Sequence, residues 1–172
     1  MASVKICVTG PESSGKSTLA YSLSQHFGLS LVKEQARSYL NNLGRKHHFS
    51  DLENIAVLQL KAEKDAKKNR DLLVCDTDLI TIKIWAEDKY QTEILFVEKH
   101  IKNNLADLYL LCYPDLPWQY DKLREDENRR LELFEKYKAE LDKLDANFVT
   151  IKGKGLEREL SAISQVQKFL ET

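Results

Sequence analysis

The chain has 172 residues, of which 42% are hydrophobic and 31% charged, and its formal net charge is −1. These values describe a globular protein and exclude a disordered chain or a general nucleic-acid binder, which would carry a basic excess. No stretch reaches the ~20 consecutive apolar residues that span a bilayer, and no secretory leader is recognisable. We therefore expect a cytoplasmic protein that has neither nucleic acid nor a membrane as a partner.

Strands and helices alternate along the predicted chain. Short apolar runs rich in β-branched residues predict five strands, at 4–9, 29–33, 72–76, 107–113 and 147–151. Apolar residues at helical spacing predict helices at 16–27, 34–44, 50–68, 79–89, 93–103, 119–144 and 156–170. Ser50 and Glu53 have the spacing of a capping box and would open the third helix. The alternation predicts a single α/β domain over residues 1–172, with a three-layer doubly wound fold around a mostly parallel five-stranded sheet.

A glycine-rich loop joins the first strand to the first helix. Its sequence over residues 10–17, GPESSGKS, fits the pattern G-x-x-x-x-G-K-[ST] in full. In such a loop, backbone N–H groups and the positive end of the helix dipole surround a phosphate. Lys16 would reach the β- and γ-phosphates of ATP, and the Ser17 hydroxyl would bind Mg²⁺. A chance match on a surface turn is the alternative, but the strand before the loop and the helix after it are the context that the motif requires.

Two aspartates follow the third strand. The carboxyl ends of parallel strands face the ligand crevice, so Asp76 would bind the Mg²⁺ through water beside Ser17. The alternative is that Asp76 caps the N-terminus of the next helix, a position that aspartate favours. Two roles remain open for Asp78: it could be that helix cap, or it could orient the acceptor of a phosphoryl group.

Glu34 and Arg37 follow the second strand. A carboxylate at the strand end, within hydrogen-bond reach of an acceptor hydroxyl, would position that hydroxyl and take its proton. Arg37 lies on the same helical side and would restrain Glu34 or bind the acceptor. The alternative is an ordinary glutamate in a first helical turn, in which case Asp78 becomes the candidate base. His47 and His48 have no partners at metal-binding spacing, which predicts a solvated loop.

Residues 114–130, after the fourth strand, predict a lid. This segment carries Arg124, Arg129 and Arg130 among several carboxylates. Phosphoryl transfer needs cationic side chains on a segment that closes over the moving phosphate and excludes water. We expect Arg124, which is nearest the strand end, to neutralise the phosphoryl oxygens and Arg129 to contact the nucleotide. The alternative is a solvated charged helix with ion pairs at i,i+4 spacing.

Four segments together resemble the ribosylnicotinamide kinase domain of the NadR family, and they occur in the family's order: GPESSGKSTL, EQARSYL, VCDTDLITIKIWAEDKY and YPDLPWQYDKLR. The resemblance implies a P-loop kinase fold of the nucleoside and nucleotide type, ATP and Mg²⁺ as cofactors, and a role in NAD biosynthesis with nicotinamide riboside as the small-molecule acceptor. It implies contacts with ATP from Gly10, Pro11, Glu12, Ser13, Ser14, Gly15, Lys16, Ser17 and Thr18. It further implies that Asp76 and Asp78 lie at the metal and acceptor, Glu34 and Arg37 on the acceptor side, and Trp118, Asp121 and Arg124 in the lid.

The chain departs from the family immediately before Glu34, where Lys33 replaces an aromatic residue suited to stacking on a nicotinamide ring. Lys33 would repel that cationic ring, so we expect nicotinamide riboside to be a weak acceptor unless Trp85 or Trp118 supplies the ring contact. Another nucleoside, a nucleotide or a sugar is the alternative acceptor. A nucleotide-dependent ATPase switch without a small acceptor is the alternative from another class, and Glu34, Asp78 and Trp85 near the strand ends argue against it.

Overall fold

The computed structural model describes residues 3–68 and 72–171, and strands alternate with helices as predicted. The strands are β1 (Val4–Thr9), β2 (Ser30–Val32), β3 (Leu72–Asp76), β4 (Leu108–Cys112) and β5 (Phe148–Ile151). The helices are α1 (Lys16–Phe27), α2 (Gln35–Asn42), α3 (Phe49–Lys67), α4 (Leu79–Tyr90), α5 (Leu95–Ile101), α6 (Arg130–Lys143) and α7 (Gly155–Leu170), with 3₁₀ turns at Lys102–Asn104 and Glu127–Arg129. Every strand matches its predicted run to within one residue at each end.

The five strands form one sheet in the order β2-β3-β1-β4-β5, and each of the described pairings is parallel. This confirms the α/β doubly wound prediction. Successive β1 side chains point to opposite faces, so Ile6 and Val8 pack with α1 and α7, whereas Cys7 packs with α3, α4, α5 and α6. Since helices cover both faces, the strands are buried on both sides and therefore read as continuous apolar runs.

The start of α3 differs from its predicted cap. The carboxylate of Asp51 accepts a hydrogen bond from the His48 backbone N–H at 2.7 Å, so the capping box predicted from Ser50 and Glu53 is wrong. Asp51 is buried and also accepts two hydrogen bonds from the Arg45 guanidinium, at 2.8 and 3.0 Å. These bonds hold the pKa of Asp51 well below its usual range. The loop before α3 is thus fixed by a buried carboxylate rather than by a serine hydroxyl.

The polar helix predicted from residue 119 begins only at Arg130, as α6. The residues before it form turns, in which the Asp121 carboxylate accepts a hydrogen bond from the Leu123 N–H at 2.9 Å. Such side-chain bonds to the backbone compete with helix formation, although the charge pattern of the segment resembles that of a helix. Within the described ranges, no helix combines the length and the apolar character that crossing a bilayer requires.

Four chain segments leave the carboxyl edge of the sheet close to one another. The glycine-rich loop follows β1, Glu34 follows β2, Asp76 ends β3, and residues 114–130 follow β4. Because all these strands run in the same direction, their ends meet at one edge, where α/β sheets bind ligands. The fold therefore brings together the segments that the sequence marks as functional.

Candidate active site

The loop after β1, which we call the P-loop (residues 10–17), requires glycine at two positions. Gly10 has a φ of +132°, and a Cβ added there would lie 2.7 Å from the carbonyl oxygen of Cys112. Gly15 has a φ of +79°, and its Cβ would lie 2.8 Å from Cδ1 of Leu116. Residues other than glycine rarely adopt either backbone conformation. No described side chain caps the start of α1, so its first N–H groups remain available to an anion.

Lys16 and Ser14 brace the P-loop from within. The Lys16 ammonium donates a hydrogen bond to the carbonyl oxygen of Pro11 at 2.7 Å, and the buried Ser14 hydroxyl donates to the same oxygen at 2.7 Å. Lys16 therefore folds back across the loop. The geometry fits the predicted role of Lys16 as a phosphate ligand.

Ser17 and Asp76 form the link between the P-loop and β3. The Ser17 hydroxyl donates to Oδ2 of Asp76 at 2.5 Å. Oδ1 of Asp76 is buried and has no hydrogen-bond partner among the described residues. Burial raises the pKa of Asp76, while the Ser17 hydrogen bond and the charge of Lys16 act in the opposite direction. A hydroxyl beside a carboxylate oxygen without a partner suits Mg²⁺, which prefers oxygen ligands and keeps several waters.

Glu34 lies at the start of α2, within electrostatic reach of the P-loop. Burial raises the pKa of Glu34; the charge of Lys16 lowers it, and that of Asp76 raises it. Oε2 of Glu34 is 3.9 Å from Nε of Arg37, and the Arg37 guanidinium donates to Asp121 of the lid at 2.7 Å. A carboxylate with a raised pKa is suited to accept a proton near neutral pH.

A cavity of about 1320 Å³ extends along this edge of the sheet. Its described wall includes residues 10–18 together with Glu34, Arg37, Trp85, Arg124 and Arg129. Asp76, Asp78, Trp118 and Asp121 do not belong to that described wall. Asp76 still reaches it through Ser17, and Asp121 through Arg37. The structure thus brings most of the predicted site residues to one cavity.

Asp78 lies in the interior of the protein. Its carboxylate accepts a hydrogen bond from the Ile80 N–H at 3.0 Å and so caps α4. It also accepts from the Tyr109 hydroxyl at 2.7 Å and lies 3.5 Å from the Lys5 ammonium. With 1% of its surface exposed, Asp78 does not face the acceptor side. Of the two interpretations left open for Asp78, the structure supports the helix cap, and Asp76 is therefore not that cap.

The lid (residues 114–130) is bonded to the P-loop. The Glu12 carboxylate accepts from the backbone N–H groups of Glu125 at 2.9 Å and Asp126 at 3.1 Å. Burial raises the pKa of Glu12, which these two hydrogen bonds partly oppose. The Ser13 hydroxyl accepts from the Gln119 N–H at 2.9 Å. The lid therefore lies over the cavity rather than extending into solvent.

Ion pairs join the lid to α2 and α4. Arg37 of α2 pairs with Asp121 at 2.7 Å, and Lys89 of α4 pairs with Glu125. The Arg129 guanidinium donates to both carboxylate oxygens of Asp88 in α4, at 2.7 and 3.0 Å. The pair with Asp88 engages the charge of Arg129, so the nucleotide contact expected of Arg129 stays a prediction.

The described hydrogen bond of Arg124 and the described ring contact of Trp118 both lie within the lid. Arg124 lines the cavity and donates to the carbonyl oxygen of Gln119 at 2.6 Å. Trp118 lies beside Arg130, whose guanidinium carbon is 5.8 Å from the ring centroid. Arg130 also donates to the Leu116 carbonyl oxygen at 2.8 Å, so it braces the base of the lid. The predicted roles of Arg124 and Trp118 toward ligands remain predictions.

Trp85 and His47 form an aromatic part of the cavity wall, which also includes Tyr137. Their ring centroids are 4.9 Å apart with an edge-to-face arrangement, and Nδ1 of His47 is 2.7 Å from the Tyr90 hydroxyl. The prediction of a solvated loop is therefore wrong for His47, which packs against α4. Lys33 is exposed and is not among the described wall residues, so the structure does not support the repulsion that we expected from it.

Arg158 is a buried contributor to this site that the sequence reasoning missed. Its guanidinium donates to the carbonyl oxygens of Ser14 at 2.7 Å and Tyr113 at 3.1 Å, and to the Asp115 carboxylate at 2.8 Å. It also donates to the Gly153 carbonyl oxygen at 3.0 Å. One side chain thus ties the P-loop to the segments after β4 and β5. The sequence did offer one signal, because Arg158 lies near the predicted start of a helix. The helix dipole disfavours a cation at that end, so a buried arginine there needs anionic partners.

Comparisons with known proteins agree with this geometry. The chain is 31% identical over 124 residues to the trifunctional NAD biosynthesis/regulator protein NadR of Salmonella typhimurium, and equally to that of Escherichia coli. Each alignment covers 69% of this chain and 30% of the relative, so the chain spans less than a third of the curated proteins that it matches.

Solved structures share the fold. A NadR protein in complex with NR superposes with a TM-score of 0.81 at 23% identity, covering 99% of this chain and 52% of the other. A deoxyadenosine kinase from M. mycoides superposes with a TM-score of 0.67 at 16% identity, covering 96% and 100%. The fold is therefore that of P-loop nucleoside and nucleotide kinases, as the resemblance implied. The family model described as an AAA domain matches residues 5–158, and the chain belongs to that family.

Proposed function

We propose that this protein is an ATP-dependent kinase that transfers the γ-phosphoryl group to a hydroxyl of a nucleoside-like acceptor, with nicotinamide riboside as the leading candidate. The observation that carries the proposal is that the P-loop and Glu34 line one cavity under one lid, with Asp76 bonded to Ser17. The similarity to NadR proteins supports nicotinamide riboside, because one of the matching structures is a complex with NR.

The proposed mechanism needs little covalent chemistry from the protein. The acceptor hydroxyl oxygen attacks the γ-phosphorus, the bond to the bridging oxygen of ADP breaks, and the hydroxyl proton passes to Glu34. Lys16 and Arg124 offset negative charge on the phosphoryl oxygens, and the P-loop N–H groups hold the β-phosphate in place. Ser17 and Asp76 would hold Mg²⁺, which supplies charge neutralisation at the phosphates.

Alignment is the main contribution of the remaining residues. Arg37 lies between Glu34 and the lid residue Asp121, so closure of the lid and the position of the candidate base are linked through one guanidinium. The lid would exclude water, which otherwise competes with the acceptor for the phosphoryl group. This linkage favours a transferase over a simple ATPase.

A nucleotide acceptor is the second candidate. Arg45, Lys46 and Lys89 contribute to the cavity wall on the side of Trp85 and His47. Ammonium and guanidinium groups suit the phosphate of a nucleoside monophosphate, because their charge-assisted hydrogen bonds to it are stronger than those to an uncharged sugar hydroxyl. Arg45 and Lys89 already have carboxylate partners, and for this reason we rank a nucleotide below a nucleoside.

The test is a measurement of ADP formation from ATP with a panel of acceptors. The panel contains nicotinamide riboside, adenosine, uridine, thymidine, thymidine monophosphate and ribose, with product identity confirmed by mass spectrometry. Acceptor-dependent ADP release with one phosphorylated product per ADP supports the proposal. ADP release that matches free phosphate and does not respond to any acceptor would instead identify an ATPase.

A further inference from the structure

Gln59 of α3 is a buried polar residue that contacts two of the segments carrying the candidate site. Its side chain is 2% exposed. Oε1 accepts a hydrogen bond from the backbone N–H of Gln35 at 3.4 Å, and Nε2 donates to the carbonyl oxygen of Thr77 at 3.3 Å. Gln35 directly follows Glu34, and Thr77 directly follows Asp76. One amide therefore spans the backbone next to the candidate base and the backbone next to the candidate metal ligand.

The orientation of this amide is determined by its neighbours. Nε2 also donates to the Glu63 carboxylate at 3.1 Å, and Glu63 is ion-paired with Lys5 at 2.8 Å. A carboxylate paired in this way only accepts hydrogen bonds, and the Gln35 N–H only donates. The nitrogen of Gln59 must then face Glu63 and Thr77, and the oxygen must face Gln35. The buried pair of Lys5 and Glu63 thus fixes which end of the amide meets which segment.

Thr77 needs such support. Its φ is +67°, in the left-handed region, where a β-branched residue is strained. Its N–H donates to the carbonyl oxygen of Val8 at 2.9 Å, and its carbonyl oxygen accepts from Gln59. Strained backbone persists only where the surroundings hold it, and it occurs preferentially at functional sites. The turn that aims Asp76 toward Ser17 is therefore held from both sides.

We propose that Gln59 is a positioning residue that sets the separation between Glu34 and Asp76. This inference rests on the proposed function. The aligned arrangement of acceptor hydroxyl, base and metal ligand tolerates little displacement, and one amide contacts the backbone of both segments. Filling the core alone would not require an amide, because neighbouring α3 residues such as Leu52, Ile55 and Ala56 fill it with apolar side chains.

The test compares Gln59→Met with a matched control, Ile55→Val, which alters a buried side chain of the same helix without removing a polar contact. We expect Gln59→Met to lower kcat by at least about tenfold while KM for ATP changes by less than about threefold. The control should keep the wild-type kcat. A Gln59→Met variant with wild-type kcat at a temperature where it is folded would overturn the inference.

A second measurement does not depend on turnover. The affinity for AMP-PNP is measured by calorimetry with and without Mg²⁺. If Asp76 is displaced in Gln59→Met, Mg²⁺ should increase the affinity for AMP-PNP less than it does in the wild type. The affinity of Gln59→Met for AMP-PNP without Mg²⁺ should be unchanged. In Ile55→Val, both affinities should equal those of the wild type. If Mg²⁺ increases the affinity for AMP-PNP equally in Gln59→Met and the wild type, the proposal is contradicted. This result is decisive even if no acceptor is phosphorylated, an outcome that would defeat only the proposed function.

Gln59→Glu covers the case in which Gln59→Met does not fold. It has nearly the same shape and keeps an oxygen for the Gln35 N–H, but when ionised it cannot donate to Thr77 and it faces the Glu63 carboxylate. We expect the same loss of kcat and the same weaker response to Mg²⁺. Wild-type values of both in folded Gln59→Glu would count against a positioning role.

Discussion

The Ser17 hydroxyl and the Asp76 carboxylate are 2.5 Å apart, so the first helical turn after the P-loop is bonded directly to the end of β3. Strands β1 and β3 are neighbours in the sheet, and Val8 is paired in register with Asp76. This register determines which strand end faces the start of α1. Two residues 59 positions apart in sequence are thereby brought together at the candidate metal site.

Replacing Asp76 by asparagine should weaken the response to Mg²⁺. Asparagine can still accept the Ser17 hydrogen bond, but it lacks the charge that attracts the cation. We expect the Mg²⁺ concentration for half-maximal turnover to rise about 10–100-fold, as for other residues that orient a metal. A Mg²⁺ titration of Asp76→Asn and of Asp107→Asn, which lies at the opposite end of the sheet, tests this. Identical titration curves for Asp76→Asn and the wild type would exclude Asp76 from the metal site.

Removing the Lys16 ammonium should suppress turnover without unfolding the protein. Lys16 is half-buried, and its bond to the Pro11 carbonyl oxygen lies within one loop, so its loss leaves the sheet intact. We expect Lys16→Ala to lower kcat about 10²–10³-fold, the usual cost of removing a preorganised electrostatic contact. ATP titration and turnover of Lys16→Ala are compared with those of Lys33→Ala, an exposed lysine outside the described cavity wall. If both variants retain wild-type affinity and turnover, the P-loop assignment fails.

Turnover should depend on the ionisation of Glu34. Burial raises the pKa of Glu34 above the ordinary glutamate value, so protonation on acidification begins at a higher pH than for an exposed glutamate. Because a base must be ionised, kcat should fall as the pH drops through this raised pKa. Glu34→Gln should lower kcat about 10²–10⁴-fold and leave ATP affinity nearly unchanged. A loss of only a few-fold, with the acidic limb of the pH profile preserved, would show that another group accepts the proton.

Trp85, and not Trp118, should contact the ring of the acceptor. Trp85 belongs to the described cavity wall, whereas Trp118 packs against Arg130. An aromatic contact contributes about 0.5–1.5 kcal/mol, so Trp85→Leu should raise KM for the acceptor about two- to tenfold. Trp118→Leu serves as the matched control for loss of an indole. Steady-state kinetics at saturating ATP give KM for the acceptor in each variant. A larger increase in KM for Trp118→Leu than for Trp85→Leu would place the acceptor against the lid instead.

The fold was predictable because strand burial on both faces leaves a strong apolar signal, and the P-loop because phosphate binding demands glycines at fixed spacing. Glu34 and Asp76 could be predicted as site candidates from the strand ends, since a parallel sheet gathers them at one edge. The local sequence pattern could not predict three features: the helix cap formed by Asp78, the packing of His47 against α4 and the burial of the Arg158 side chain. Each depends on partners far away in sequence, which a single chain without its topology does not reveal.

Because ion pairs join the lid to α2 and α4, we expect the rate of lid opening, and with it ligand entry and release, to depend on ionic strength. Exposed pairs such as Lys89 with Glu125 are each worth about 0.2–1 kcal/mol, and salt screens them over a distance of ~10 Å at 0.1 M. Opening of the lid would require the pair of Arg37 and Asp121 to separate. Moderate salt should therefore accelerate opening, and where product departure limits the cycle, turnover should increase with salt before weakened phosphate binding reduces it.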